Sequence, residues 1–184
     1  MKLFEGTLHT ERLLLRPCDD SDAEELYEMA KEPEVGYWCG WKSHKDIEES
    51  LFVLRNVLNA KETYAICLEN SKKMVGMISI KLKEMSKFTD KDDECEIGYW
   101  IGKPYWKNGY AYEAAKEIIR HAFEDLNMST IWCGYYEGNE KSMNLQRKLG
   151  FVFHHVCYGV EVEQLNETRV EFANYLTKEM WLEK

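Results

Sequence analysis

The chain has 184 residues, of which 45% are hydrophobic and 31% charged, a composition typical of one globular domain. We therefore predict a single domain over residues 1–184. The formal net charge of −9 argues against direct nucleic-acid binding, which needs a cationic surface, and favours cationic partners such as amines. No apolar run approaches the roughly 20 residues of a membrane span, and the N-terminus lacks the apolar segment of a secretory signal. We therefore expect a cytoplasmic protein without membrane association.

Hydrophobic periodicity and capping residues predict the elements of the chain. In order, the first half should contain a strand at residues 10–17, a helix from the caps at 19–22 to about Lys31 that Pro33 ends, an aromatic loop at 36–41, a helix starting at Ser43, and strands at 64–68 and 74–80. The second half should contain a strand at 94–101, a helix ending near Leu126, a strand at 130–136, a helix at 141–149, and strands at 151–158 and 170–177.

The strand–helix–strand crossover in the middle of this order requires at least one parallel pair in a mostly antiparallel sheet. The predicted fold class is therefore α+β, or mixed α/β, with a seven-stranded sheet flanked by about four helices.

The stretch at residues 105–116, YWKNGYAYEAAK, begins a helical pattern without a Ser or Asp cap. The first N–H groups of a helix lack intrahelical acceptors and carry partial positive charge. Gly109 and Ala111 keep this backbone accessible and Lys107 adds a cation, so the helix entrance suits a phosphate or pyrophosphate. Gly109 taken alone is better explained by a tight loop that needs an unusual φ.

Four segments, in the right order, resemble motifs of the GNAT superfamily of acyl-CoA N-acyltransferases. Residues 106–111, WKNGYA, are similar to its (Q/R)-x-x-G-x-(G/A) pyrophosphate loop. Residues 139–142, followed by Leu149-Gly150-Phe151, resemble its N-x-x-S/A…L-G-F segment. The opening residues 10–17 and the closing residues 175–181 resemble one branch, the ribosomal-protein-alanine and ribosomal-protein-serine N-acetyltransferases.

This resemblance implies the acyl-CoA N-acyltransferase fold, acetyl-CoA as co-substrate and no metal. Pantetheine is expected to pair with Tyr99, Trp100 and Ile101. The pyrophosphate is expected on the loop amides, assisted by Lys103, with contacts from Lys107, Asn108, Gly109, Tyr110, Ala111 and Tyr112. Asn139 and Ser142 should also contact the cofactor. Trp106 departs from the family pattern, which has Gln or Arg at that position.

The implied reaction transfers the acetyl group directly to an amine, because no cysteine or serine has a convincing histidine partner for a covalent intermediate. The amine needs a proton acceptor and the departing thiolate benefits from a proton donor. Glu96 resembles the carboxylate that related acetyltransferases carry on the central strand, and Glu94 on the same face is the alternative. Ser142 is the candidate acid, since Gln146 stands where many members have a tyrosine. The place where some members carry a base on the next strand holds Gly134.

The acceptor itself is left open by the sequence. Trp38 and Trp41 in the aromatic loop, with Glu94, are candidates for its binding site, although core packing would explain one Trp equally well. The resembling branch suggests a protein N-terminal amine, ribosomal or other. A small amine such as a polyamine or an aminoglycoside is an alternative, as is a catalytically silent acyl-CoA-binding module. The sequence does not choose between a monomer and a homodimer.

Overall fold

The computed structural model describes residues 6–183. Its strands are β1 (Leu8–His9), β2 (Leu13–Arg16), β3 (Thr63–Leu68), β4 (Met74–Leu82), β5 (Glu94–Ile101), β6 (Thr130–Tyr136), β7 (Val152–Val162) and β8 (Glu167–Thr177). Its α-helices are α1 (Ala23–Ala30), α2 (Pro33–Cys39), α3 (Ile47–Asn56), α4 (Tyr110–Arg120), α5 (Glu140–Leu149) and α6 (Lys178–Leu182). Between residues 6 and 183, no helix combines the length and the apolar character needed to cross a bilayer.

The eight described strands form a sheet in the order β1-β2-β3-β4-β5-β6-β8-β7. Strands β5 and β6 run parallel, and the other pairs with a described register are antiparallel. The mixed, mostly antiparallel sheet with its parallel pair is therefore confirmed. The structure adds an eighth strand, β1, which lies before the predicted strand at 10–17. The first residues of that predicted strand form a turn, in which Thr10 N donates to Leu13 O at 2.9 Å, and β2 begins only at Leu13. The short β1 then pairs with β2 through Leu8 and Leu15.

The described range holds six α-helices rather than about four, and the difference begins at Pro33. Pro33 does not end a helix but lies in the first turn of α2, where a missing N–H is tolerated because that donor has no intrahelical acceptor. The aromatic stretch is therefore not a loop: it lies in α2 as far as Cys39, and Gly40 ends the helix with φ 82°. Helix α3 begins at Ile47 rather than Ser43, because Asp46 accepts a hydrogen bond from Glu49 N and caps it.

The described residues separate into two compact units. The first contains residues 6–79 with Tyr99–Glu117, and its core is built from α1, α3, β3 and β4, for example by Leu26, Leu54 and Met77. The second contains Ile80–Gly98 with residues 118–183, and Phe123 is fully buried there, 5.4 Å from the ring of Trp181. A single domain over residues 1–184 stays a prediction.

A buried ion pair joins the end of β2 to the start of α1 in the first unit. Arg16 donates through Nη1 and Nη2 to the two carboxylate oxygens of Asp22, at 2.8 and 2.5 Å. The side chains are only 12% and 3% exposed. Asp22 also accepts from Asp19 N at 2.9 Å within a capping box. Because bidentate pairing satisfies both partners, the two charges are tolerated in the interior.

Candidate active site

In the first unit, the loop before α4 turns through two residues in the left-handed region. Lys107 has φ 65° and Gly109 has φ 81°, which confirms the unusual φ expected at the glycine. The Asn108 side chain stabilises the turn by donating to the carbonyls of Tyr105 and Trp106, at 3.0 and 3.1 Å. The loop thus delivers the chain directly into the first turn of α4.

Trp106, which departs from the family pattern, anchors this loop to the end of β5. Its indole Nε1 donates to Ile101 O at 2.7 Å. Ile101 is buried, whereas Tyr99 and Trp100 are half-buried on the same strand. A Cβ at Gly76 would lie 2.3 Å from Trp100 O, so glycine is required there for the close approach.

Arg12 is a cation at the loop that sequence reasoning did not assign. Its guanidinium donates to Asn108 O at 3.2 Å and to Glu113 at 2.6 and 2.7 Å, and it lies 5.0 Å from the centre of the Tyr110 ring. Burial acts to raise the pKa of Glu113, but hydrogen bonds from Thr10 and Arg12 outweigh it and hold this pKa below its ordinary value. The opening Thr-Glu-Arg segment, noted only as a branch feature, was the available signal.

Lys103, expected to assist phosphate binding, is engaged elsewhere. Its ammonium lies 3.4 Å from the carboxylates of both Glu32 and Glu34. These acidic neighbours raise the pKa of Lys103, so its positive charge is already balanced. Lys107 is exposed at the turn itself and remains the candidate lysine.

In the second unit, one face of β5, β6 and β8 gathers the acidic candidates. The parallel ladder pairs Glu96 with Trp132, and the antiparallel ladder pairs Tyr136 with Glu171. Since side chains alternate along a strand and paired residues share a face, Glu96, Gly134 and Glu171 lie on the same side of the sheet. Glu94 lies on this face one pleat before Glu96, as predicted.

Glu96 is held by three donors. Lys81 Nζ lies 2.7 Å from Oε1, and Lys87 N and Ser86 Oγ lie 2.7 and 3.2 Å from Oε2. The side chain is 5% exposed. Glu96 therefore fixes the loop after β4 as well as balancing the charge of Lys81.

Glu94 is similarly occupied, by Lys91 Nζ at 2.6 Å and Trp132 Nε1 at 2.7 Å. Burial acts to raise the pKa of Glu94, but hydrogen bonds from Lys91, Trp132 and Thr89 outweigh it, so this pKa lies below the ordinary value. Glu94 is thus held in its ionised form and is a weak base.

Glu171 is a buried carboxylate that sequence reasoning overlooked. Burial is the main cause that raises its pKa, the Lys87 ammonium opposes this, and the negative charge of Glu96 adds to it. The net effect is a raised pKa. Its side chain is 10% exposed, and Lys87 Nζ lies 3.7 Å from Oε2. Periodicity on β8 marks the inward-facing position but does not show that it opposes Glu96.

Helix α5 holds the candidate acid in a short network. Asn139 caps the helix by accepting from Ser142 N at 3.2 Å. Gln146 is fully buried, and its Nε2 donates to Ser142 Oγ at 3.1 Å and to Gly134 O at 3.0 Å. Asn174 Nδ2 in turn donates to Gln146 Oε1 at 2.8 Å. Gln146 therefore fixes Ser142 against β6. The sequence had indicated only that Gln146 replaces the tyrosine of many family members, and it did not suggest this positioning role.

The two tryptophans proposed for acceptor binding lie in different surroundings of the first unit. Trp38 is in α2, 5.0 Å from the ring of Tyr37. Trp41 packs against the first core, with its ring 5.9 Å from Trp100, and Gly36 provides the space for it, since a Cβ there would lie 2.5 Å from Trp41 O. Packing thus accounts for Trp41, and contact of either tryptophan with an acceptor stays a prediction.

Comparison with known proteins shows which protein family this chain resembles. Residues 12–152 match the family described as Acetyltransferase (GNAT) domain. The Bacillus subtilis (strain 168) N-acetyltransferase YoaA, itself uncharacterized, is 28% identical over 149 residues, which cover 78% of this chain and 81% of YoaA.

Two solved structures show the same fold. A Vibrio cholerae protein, whose name proposes a ribosomal-protein-serine acetyltransferase, superposes with a TM-score of 0.78 at 22% identity and covers 94% of this chain and 98% of its own. The microcin C7 self-immunity acetyltransferase MccE, solved with acetyl-CoA and AMP, gives 0.75 at 16% identity, with 91% and 93% covered. The chain therefore belongs to the GNAT family of N-acetyltransferases, which confirms the resemblance and the fold class predicted from its sequence.

Proposed function

We propose that the protein transfers an acetyl group from acetyl-CoA directly to a primary amine, and that the acceptor is the N-terminal amine of a protein, ribosomal or other. The observation that carries this proposal is the burial of Glu96 and Glu171 beside Lys81 and Lys87 on one sheet face. Buried charges are costly unless they are paired or needed for chemistry. Acetyl transfer to an amine needs a proton acceptor, which a carboxylate of this cluster can supply, whereas a module that only bound acyl-CoA needs none.

The residues at the entrance of α4 fit the pyrophosphate of acetyl-CoA. The turn at Lys107 and Gly109 leads into the first turn of α4, where helix N–H groups lack intrahelical acceptors, and Arg12, paired with Glu113, holds the loop through Asn108 O. When bound, acetyl-CoA supplies an acetyl thioester. We propose contacts from the remaining predicted loop residues and from Tyr99 to Ile101. No group of three or more His, Cys, Asp or Glu side chains within residues 6–183 could hold a metal ion, and a metal-free reaction stays a prediction.

Acetyl-CoA binding is expected to fall at least tenfold in Gly109→Val. Because φ is 81° at this position, a β-branched residue would be strained by roughly 1–2 kcal/mol and would change the path of the loop. The loop can relieve this strain only by leaving its present conformation, and restoring that conformation on binding at such a cost corresponds to about a tenfold higher dissociation constant. Titration calorimetry would measure the affinity, and the thermal midpoint would confirm that the variant is folded.

Gly159→Val is the matched control. Gly159 also has a positive φ, 68°, and a Cβ there meets nothing within 4 Å, but it lies in β7. It should suffer the same backbone strain without weaker acetyl-CoA binding. Equal affinities in Gly109→Val and the parent protein would remove the loop from the proposal.

In the second unit, the carboxylates of the sheet face attract an ammonium group and provide a proton acceptor, for which Glu96 and Glu171 are the candidates. Ser142, held through its Oγ by Gln146, is proposed to contact the cofactor and to protonate the departing sulfur. Comparing Ser142→Ala with Ser142→Thr separates the two roles, since loss of acid catalysis lowers kcat and loss of a contact raises KM for acetyl-CoA.

Two considerations favour a protein N-terminus as acceptor. The name of the Vibrio cholerae structure proposes such a substrate for that protein. In addition, an α-amine has a pKa of about 7.7–8.0, against about 10.4 for a lysine-like amine, so a larger fraction is already neutral near pH 7.5.

The proposal is tested by measuring thiol release with a panel of amines. Peptides with free N-termini, including those of ribosomal proteins, should give a higher kcat/KM than N-terminally blocked peptides containing lysine, than polyamines or than aminoglycosides. A preference for a small amine would support the alternative acceptor class, and no release with any amine would support a silent module. A cytoplasmic location and the choice between monomer and homodimer stay predictions.

A further inference from the structure

Gly134 on β6 lies beside the carboxylate of Glu171 and is linked to Ser142 through Gln146. A Cβ added there would lie 2.8 Å from Glu171 Oε1 and 2.6 Å from the Phe88 ring. The carbonyl of the same residue accepts from Gln146 Nε2, which also holds Ser142 Oγ. The carboxylate of Glu171 therefore reaches Gly134 from β8, whereas the hydroxyl of Ser142 is connected to it through the Gln146 side chain of α5.

Gly134 also lies beyond the end of the ladder between β5 and β6. The β5–β6 ladder runs from Glu94↔Thr130 to Glu96↔Trp132 and ends two residues before Gly134. The ladder with β8 continues through Gly134↔Ala173 to Tyr136↔Glu171. Glu171 thus lies beside the part of β6 that follows the end of its parallel ladder with β5.

Glu96 and Glu171 differ in how much of each carboxylate is already used. Glu96 accepts three hydrogen bonds, two of them at 2.7 Å, and its partner Lys81 neutralises its charge. The contact of Glu171 with Lys87 is longer, at 3.7 Å, and its side chain is twice as exposed, at 10% against 5%. A proton acceptor needs an accessible lone pair, which favours Glu171.

We propose that Glu171 is the general base of the acetyl transfer, and that its carboxylate occupies the space that a side chain at position 134 would fill. This inference rests on the proposed function. Glu96 then acts as a positioning residue, because it fixes the loop that carries Lys87 and Phe88 against Glu171 and Gly134.

The proposed step balances as follows. The ammonium of the acceptor gives one proton to Glu171, which becomes a neutral carboxylic acid. The nitrogen lone pair forms the C–N bond, and the C–S bond of the thioester breaks with its electron pair leaving on sulfur. The second proton of the nitrogen passes to sulfur, directly or through Ser142. Glu171 then releases its proton to water.

Several charged groups face Glu171 and set its pH dependence. Burial raises the pKa of Glu171, Lys87 lowers it, Glu96 raises it further and Lys81 lowers it, with a net upward shift. Tyr136 on β6 and Cys157 on β7 are its strand partners. Since the ionised form accepts the proton, kcat/KM should fall as pH drops through this raised pKa.

The test compares Glu171→Gln with the parent enzyme, using acetyl-CoA and the best peptide of the amine panel. We expect kcat to fall roughly 10²-fold or more at neutral pH, as for loss of a general base. Acetyl-CoA affinity should be unchanged, and the loss should shrink as pH rises and the amine deprotonates unaided. Glu167→Gln, an exposed residue of the same strand, is the control and should keep full activity.

Chemical rescue separates proton transfer from a structural role. Formate should restore part of the kcat of Glu171→Ala, because a small carboxylic acid can occupy the space left beside Gly134, and Glu171→Asp should retain more activity than Glu171→Gln. A loss that neither formate nor high pH relieves would overturn the proposal, as would full kcat in Glu171→Gln. If the parent enzyme itself acetylated no amine, the proposed function would fail as well, whereas an active parent with an active Glu171→Gln would overturn this inference alone.

Discussion

Glu96→Gln is expected to lower kcat roughly 10²-fold while leaving the affinity for acetyl-CoA nearly unchanged. Glutamine would present an amide donor to Lys81 or to Lys87 N, where Glu96 now accepts at 2.7 Å from each. The loop at residues 86–88 would then shift, together with the Phe88 ring beside Gly134. Displacement of a reacting group by about 1 Å is sufficient for a loss of this size.

The pH profile of Glu96→Gln decides between the two candidate bases. If Glu96 accepts the proton, as its sequence position suggested, activity should recover at high pH, where the amine is already neutral. If Glu96 positions the loop, the loss should persist across the pH range. We expect the loss to persist. Glu94→Gln, one pleat earlier on the same face, shows how much of the effect comes from removing any negative charge there.

Asp22→Asn is expected to lower the free energy of unfolding by about 3–5 kcal/mol, the usual consequence of removing one partner of a buried ion pair. Arg16 would keep its charge in a site where its side chain is only 12% exposed. Asparagine would also keep only one acceptor oxygen for the donors that Asp22 now serves, which are Asp19 N and the two Arg16 nitrogens. Urea denaturation would measure the change. The slope of the unfolding free energy against urea concentration should stay the same if the denatured state is unaffected.

Asp20→Asn is the matched control for this prediction. Asp20 makes a similar bidentate ion pair with Arg55, at 2.6 and 3.0 Å, but both side chains are more than half exposed. Solvent screens such pairs, so the midpoint of denaturation should barely move. Equal destabilisation by the two substitutions would show that burial of the Arg16–Asp22 pair has no special weight.

Local chemistry made most of the fold predictable. Apolar runs bounded by turns gave β3, β5 and β6, and the connection between the last two required their parallel pairing. Pro33 was misread because proline can end one helix or begin the next, and only the surrounding packing selects between these roles. The short β1 carries too few residues for a periodic signal and exists because it pairs with β2.

In the candidate site too, features that depend on adjacent residues were predictable, whereas contacts between distant parts of the chain were not. The φ of Gly109 and the cap that Asn139 provides for α5 depend on adjacent residues, so their sequence context was sufficient. Arg12 and Glu113 are 101 positions apart, and nothing local to either shows that they meet. Glu171 likewise acquires its surroundings from β4, β5 and the intervening loop, which sequence periodicity does not bring together.

The vacant position at Gly134 has a consequence for how such enzymes diverge. A charge delivered from β8 can stand beside β6 only while residue 134 has no side chain, since a Cβ would lie 2.8 Å from Glu171 Oε1. We therefore expect homologues with an acidic residue at position 134 to carry a small or neutral residue at position 171. Homologues with an acidic residue at position 171 should carry a small or neutral residue at position 134. An alignment that tracks one strand at a time would record such an exchange as the loss of a base, although the negative charge had only moved to the neighbouring strand.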